Sequence, residues 1–348
     1  MNNMKGWLYM KFHHYISIFA ILLLLSAAGC GQGNDTGDTE NQEEQDANEN
    51  TDETANGETT TVTDATGEKE IEGTPENIVV LEWVYAEDLL ALGENPIGVA
   101  DIEGYESWVN IEPELPDNVT DVGTRQEPSL EEIAQLEPDL IITAQSRHES
   151  ISDELNEIAP TLMFEPYPEE GEGNQYEEME TTFQEIAKVV DKEDKADDVL
   201  ADLDESYEQL ETQLTEAEVD DTDVLLSQAF SANETASLRL FTDNSMAMQI
   251  MNNIGLDNAY DGEEFELYGY TETTVESLEP YQDAAFMHIV QEDDNVFENQ
   301  LDGNPVWENL NFVEEERTYA LPGDTWTFGG PLAAEVFAEE TVNALIGE

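Results

Sequence analysis

Basic residues are nearly missing from this 348-residue chain. Ten Lys and Arg stand against 83 Asp and Glu, for a formal net charge of −73. Nothing in such a chain neutralises phosphates, so nucleic-acid binding is excluded. A single cysteine, Cys30, leaves no partner for a disulfide and no thiolate cluster for zinc. The 4 histidines include His13 and His14 near the start, which leaves His148 and His288 for the body of the chain. Two histidines do not make the carboxylate–imidazole cluster that captures a bare first-row metal ion. There is no Gly-x-Ser-x-Gly, no phosphate-cradling glycine loop and no His-Glu-x-x-His, so catalysis is not expected. Long apolar runs are absent too. The longest, residues 15–25, is too short to span a bilayer comfortably.

What surrounds that run is informative. Lys5 and Lys11 precede it, and Ser26, Ala27, Ala28 and Gly29 follow it up to Cys30. A basic region, an apolar region and small residues at a cleavage point make an export leader. A lone cysteine at that point resembles the lipobox of bacterial lipoproteins, which implies lipidation of Cys30 and a tether to the outer face of a cell membrane. The alternative is an ordinary secretory leader with an incidental cysteine. Acidic residues stay dense through residues 150–320, so the charge is not confined to a tail. Such a surface repels itself at low ionic strength and is screened in molar salt, where the Debye length is about 3 Å. A halophilic setting is expected.

Residues 31 to about 60 are Gly, Asn, Gln, Asp, Glu and Thr with almost no apolar residue, and read as a disordered tether. From Ile78 onward short apolar runs alternate with helical patterns: strands near 78–81, 97–100, 119–122, 140–142 and 161–164, with helices near 86–92, 129–136 and 151–158. That alternation predicts a parallel sheet covered by helices. Residues 174–217 break the rhythm with two helices, near 175–190 and 193–217, the second unusually long. The alternation then resumes with strands near 224–226, 238–241 and 285–290 and a closing helix at 332–345. The expected fold class is α/β: two lobes with central, mainly parallel sheets joined by a long rigid linking helix. The expected divisions are a leader at 1–29, a lipidated acidic tether at 30–61, an N-terminal lobe at 62–178, linking helices at 179–217 and a C-terminal lobe at 218–348.

Several strings then resemble a known family. They are Val122-Gly123-Thr124-Arg125, Glu127-Pro128-Ser129-Leu130-Glu131-Glu132, Glu137-Pro138-Asp139-Leu140-Ile141-Ile142, Ser146-Arg147-His148 and Ala159-Pro160-Thr161. Leu238-Arg239-Leu240-Phe241, Asp324-Thr325-Trp326 and Gly330-Pro331-Leu332 extend the match. The chain is similar to substrate-binding lipoproteins of iron–siderophore ABC importers, most of all to the branch for ferric citrate and mixed carboxylate–hydroxamate siderophores. The resemblance implies a class III periplasmic-binding-protein fold, a monomer, a ligand held between the lobes, and no cofactor, since iron enters only inside its siderophore.

The resemblance also places residues. Arg125, Arg147 and Arg239 match basic positions of the cleft, and an arginine fork suits carboxylate oxygens. In a chain this short of basic residues each arginine asks for a reason; structural ion pairs are the plain alternative. Trp326 matches a cleft tryptophan; Trp83, just after the first strand, and Trp108 and Tyr105, in an expected loop, are candidates for further wall. His148 is a candidate hydrogen-bonding neighbour of the ligand. Glu131 and Glu276 match the pair that meets arginines on the permease, although an acid in a first helical turn also follows from the helix dipole. The family often carries an arginine just after the cleft tryptophan. Here the run is Trp326-Thr327-Phe328-Gly329, which favours a less charged ligand. Cobalamin or haem on the same scaffold, and a structural or adhesive surface lipoprotein, are the alternatives.

Overall fold

The computed structural model describes residues 59–219, 222–233, 235–262 and 264–347. Cys30 and the leader lie outside them, as does all but the end of the expected tether. The described residues belong to one compact unit, 55–348.

The first element is a surprise. Strands β1 (Thr59–Asp64) and β2 (Gly67–Glu72) form an antiparallel hairpin in register Thr59↔Glu72. The expected tether therefore stops short of residue 61. Val62 and Ile71 are the hairpin's buried apolar residues. The turn is tied to the N-terminal lobe by Asp64 Oδ2, which accepts from Met163 N at 2.9 Å, and by Ala65 N, which donates to Met163 O at 2.9 Å.

The N-terminal lobe runs through β3 (Ile78–Val80), α1 (Trp83–Ala91), β4 (Gly98–Val99), α2 (Ile102–Trp108), β5 (Thr120–Asp121), α3 (Leu130–Gln135), β6 (Leu140–Ala144), α4 (Gln145–His148), α5 (Ser152–Ile158) and β7 (Thr161–Phe164). Its strands pair in the order β5-β4-β3-β6-β7, all parallel. The period of two sorts their side chains to opposite faces. Ile78 and Val80 join one core layer with α1, while Val79 and Leu81 join another with Ile133 and Leu155. Ser129 caps α3 by accepting from Glu132 N, as an N-terminal serine should.

Two long helices follow, α6 (Gln175–Val189) and α7 (Glu193–Glu216). Asn174 and Glu177 form a capping box that fixes the start of α6. On α7 the buried residues are Ala196, Leu203, Tyr207, Leu210 and Leu214, one stripe at helical spacing on an otherwise acidic rod.

The C-terminal lobe contains β8 (Asp223–Ala232), β9 (Thr235–Phe241), α8 (Met246–Asn253), β10 (Asp257–Asn258), β11 (Tyr270–Thr273), β12 (Ala285–Ile289), α9 (Val296–Asn299), α10 (Pro305–Glu308), α11 (Asn311–Glu314), β13 (Thr318–Leu321) and α12 (Pro331–Ile346). Its sheet has the order β11-β9-β8-β12-β13. β8, β12 and β13 are parallel, whereas β9 pairs antiparallel with both β8 and β11, so this lobe is mixed where its partner is uniform.

The lobes share helices rather than a single strap. Ala196 of α7 sits in the N-terminal core, and Leu203 to Leu214 sit in the C-terminal one. α6 divides likewise: Phe183 and Ile186 go to the first core, Tyr176 and Met179 to the second. In α12 Ala333 belongs to the first and Phe337 and Val342 to the second. At the start of α12 the Gly329–Gly330 segment lies against two buried acids of α1. Glu87 Oε1 accepts from Ala333 N at 2.7 Å. A Cβ on Gly330 would fall 2.6 Å from Asp88 Oδ1.

Among the described residues no helix is long and apolar enough to cross a membrane.

Candidate functional site

In an α/β sheet the loops after the strands' carboxyl ends converge and form the ligand crevice. Here four of them supply one charged cluster. Glu82 follows β3, Asp101 follows β4, Arg125 follows β5, and Arg147 lies on α4 directly after β6.

The Arg125 loop is closed on itself. Ser129 N donates to Val122 O at 2.7 Å, Asp101 N donates to Gly123 O at 2.7 Å, and Glu127 N donates to Thr124 Oγ1 at 3.0 Å. Gly123 has φ of +97°, and a Cβ there would meet Ser129 N at 2.9 Å, so glycine is required for the loop to turn. At its tip the Arg125 guanidinium lies 3.5 Å from the centroid of the Trp83 ring, a cation–π contact. Its Nη1 donates to Glu82 Oε1 at 2.7 Å, and Asp101 Oδ2 stands 4.0 Å from its Nε. Arg147 Nε donates to the other oxygen, Glu82 Oε2.

The opposite wall belongs to the C-terminal lobe. Arg239 on β9 lies between Gln228 of β8 and Glu272 of β11, its registered neighbours. Nη1 donates to Gln228 Oε1 at 3.0 Å, and Glu272 Oε1 is 3.8 Å from Nε. The guanidinium rests against Phe230 and Tyr270, 4.8 and 4.5 Å from their centroids.

These two walls enclose a cavity of about 500 Å³. Arg125, Arg147 and Arg239 line it with Gln126 and Ser146. So do five rings: Tyr167, Tyr268, Tyr270, Trp326 and Phe328. The rings touch across the lobes, Tyr167 meeting Tyr268 at 5.1 Å and Phe328 at 6.5 Å between centroids. Burial raises the Tyr167 hydroxyl far above its ordinary pKa, so it stays a neutral donor. Trp326 Nε1 is buried with no hydrogen-bond partner.

The structure thus brings together four of the residues expected from the sequence, Arg125, Arg147, Arg239 and Trp326. Trp83 is one layer back. Its ring backs Arg125, and its Nε1 donates to Ala100 O at 3.1 Å. Tyr105 and Trp108, expected in a loop, lie on α2 and do not line the cavity, although the Trp108 ring is 6.4 Å from that of Trp326. Tyr105 is buried edge-on to Trp83, and Trp108 lines a separate groove beside Gln291 and His288. His148 points into the lobe rather than the cavity. Its Nδ1 pairs with Thr143 Oγ1, and burial lowers its pKa, so it is neutral. Its part is to anchor α4, and through α4 the neighbouring Arg147. Glu131 and Glu276 are exposed, one on each lobe at the start of a helix or 3₁₀ turn. Gln126, Ser146, Tyr167, Tyr268, Tyr270 and Glu82 were not singled out by sequence. Among the described residues no group of three or more His, Cys, Asp or Glu is placed to hold a metal ion.

Two lobes that share one aromatic, donor-lined cavity define a ligand-binding protein. Comparison with known proteins gives the family. The periplasmic binding protein model matches residues 78–325. The Fe(3+)-citrate-binding protein YfmC of Bacillus subtilis is 30% identical over 340 residues, covering 94% of this chain and 96% of its own. The iron(3+)-hydroxamate-binding protein FhuD of Escherichia coli is 30% identical over 79% of this chain and 88% of its own. The Fe3+–Desferal complex of FhuD from Vibrio cholerae superposes with a TM-score of 0.69 at 27% identity, covering 78% of this chain and 98% of that one. The chain belongs to the periplasmic binding protein family, whose members bind ligands and do not transform them.

Proposed function

We propose that this protein captures a ferric siderophore, of the citrate or mixed carboxylate–hydroxamate type, between its lobes and delivers it to an ABC permease. A lipid on Cys30 holds it to the outer face of the cell membrane, and Glu131 and Glu276 meet basic residues of the permease, one per lobe. The observation that carries the reading is the meeting of three of the chain's four arginines, from both lobes, at one aromatic-walled cavity. Guanidinium forks suit the oxygens around a chelated ferric ion, and rings suit the organic backbone that wraps it. The names of the relatives, ferric citrate and ferric hydroxamate binders, support the same ligand class.

Tryptophan emission reports on the site, because Trp326 lines it. The purified protein, in salt at which it is folded, is titrated with ferric citrate, a ferric citrate–hydroxamate siderophore, a ferric trihydroxamate, cobalamin and haemin. Saturable quenching by a ferric chelate and not by its iron-free form is expected. Saturation by cobalamin or haemin alone would reassign the ligand and keep the fold.

A further inference from the structure

Each of the three cleft arginines already has a carboxylate of the protein within 4.0 Å: Glu82 for Arg125 and Arg147, Asp101 again for Arg125, and Glu272 for Arg239. Asp101 is partly exposed and Glu272 exposed, at 32% and 57% side-chain exposure. Glu82 is not: its side chain is 8% exposed. It stands at the N-cap position of α1, at the end of the central strand of its sheet, and lines the small space behind the cleft rather than the cleft itself. Both of its oxygens are committed, one to each arginine. An incoming ligand therefore cannot push it aside into water.

We propose that Glu82 is the charge filter of the cleft. From behind the two arginines it cancels one of their two positive charges, Asp101 beside Arg125 offsets the other, and their outward N–H groups remain donors. A guanidinium has five N–H groups, and Arg125 gives one of them to Glu82. What faces the ligand is a donor platform of little net charge. The groups around the pair do not restore a positive field. Asp101 adds negative charge beside Arg125, Glu165 accepts from Ser146 next to Arg147, and His148 is neutral. Such a platform favours ferric complexes of zero or positive net charge, whose ligating oxygens need donors, over polyanionic ferric carboxylates, which need surplus cations. The inference rests on the reading of the protein as a ferric-siderophore binder and shifts its ligand from the citrate end of that class towards hydroxamate-rich complexes of low charge.

A charge on the ligand roughly 8 Å from Glu82 feels it at an intermediate effective dielectric, which corresponds to about a five- to tenfold change in affinity per unit of ligand charge. The test uses ferric complexes of one linear trihydroxamate that differ only in the pendant end: a free amine (+1), its acetyl amide (0) and its succinyl amide (−1). The wild-type protein should bind the amine and acetyl forms more tightly than the succinyl form. Glu82→Gln should erase or invert that order and gain affinity for ferric citrate. Glu82→Asp keeps the charge and should keep the order even if overall affinity falls. Arg147→Gln should steepen the order, which gives a second arm if Glu82→Gln does not fold. A uniform shift of all three complexes in Glu82→Gln, or a wild-type preference for the succinyl form, overturns the filter and leaves the siderophore reading standing. Failure of the folded wild-type protein to bind any ferric complex overturns both.

Discussion

A buried carboxylate shared by two guanidiniums is an arrangement in which removing the cations costs more than removing the whole group. Arg125→Ala or Arg147→Ala alone should weaken ferric-chelate binding by about ten- to a hundredfold, through loss of charge-assisted donors. Titration by fluorescence checks this, and normal binding by both variants would remove the arginines from the site. The double variant should also lose stability, on the order of 3 kcal/mol, because Glu82 is left buried without a partner. Adding Glu82→Gln to the double variant should recover much of that loss in denaturant melts; no recovery would mean the loss is one of packing against Trp83. The arginines were legible in the sequence because the chain has so few basic residues. Glu82 was not, being one carboxylate among 83. Tyr167, Tyr268 and Tyr270 were hidden for another reason. They flank strands from different lobes, and only the folded chain brings them to one wall.

At the scale of elements, α1 and the start of α12 hold the most unusual chemistry. Burial pushes the Glu87 carboxyl up to about 7, against backbone hydrogen bonds from Ala333, Gly330 and Leu332 that pull it down. Burial, with the adjacent Glu87, raises Asp88 as well. Between the ordinary value of 4.5 and about 7 the folded protein keeps a proton on Glu87 that the unfolded chain has released. Stability contributed there is full at acid pH and falls as pH rises through that window. Glu87→Gln keeps an acceptor for Ala333 N without the titration, so the wild type should lose up to about 3 kcal/mol relative to the variant between pH 5 and pH 8. Parallel pH profiles of the two proteins would sink the assignment. Gly123→Ala should cost about 2 kcal/mol, since an L residue at φ of +97° is strained, and should weaken ligand binding by displacing the Arg125 loop. Periodicity in the sequence located α6 and α7, each of which buries a regular stripe, and unbroken apolar runs located the core strands, which are buried on both faces. The β1–β2 hairpin escaped notice because Val62 and Ile71 are its buried apolar residues and the rest of its strands is Thr, Asp, Gly, Glu and Lys. α2 was read as loop because it is 7 residues long with Gly104 inside it.

For the whole molecule the net charge of −73 should dominate behaviour in solution. Screening that shortens the Debye length from about 10 Å at 0.1 M to about 3 Å at 1 M should raise the melting temperature steeply with sodium chloride. A flat profile would contradict the halophilic reading. Cys30→Ser should move the protein from the membrane fraction to the medium, and retention at the membrane would refute the lipid anchor. The sharing of α6, α7 and α12 between both cores has a mechanical consequence. Any rotation of one lobe against the other must bend three rods together, so the stiffness of the cleft is the combined stiffness of those rods. Empty and loaded protein should then differ in radius of gyration by less than about 1 Å in X-ray solution scattering. A cleft so stiff does not gape by thermal motion alone, so on the proposed function the work of prising out a tightly held cargo would fall to the permease.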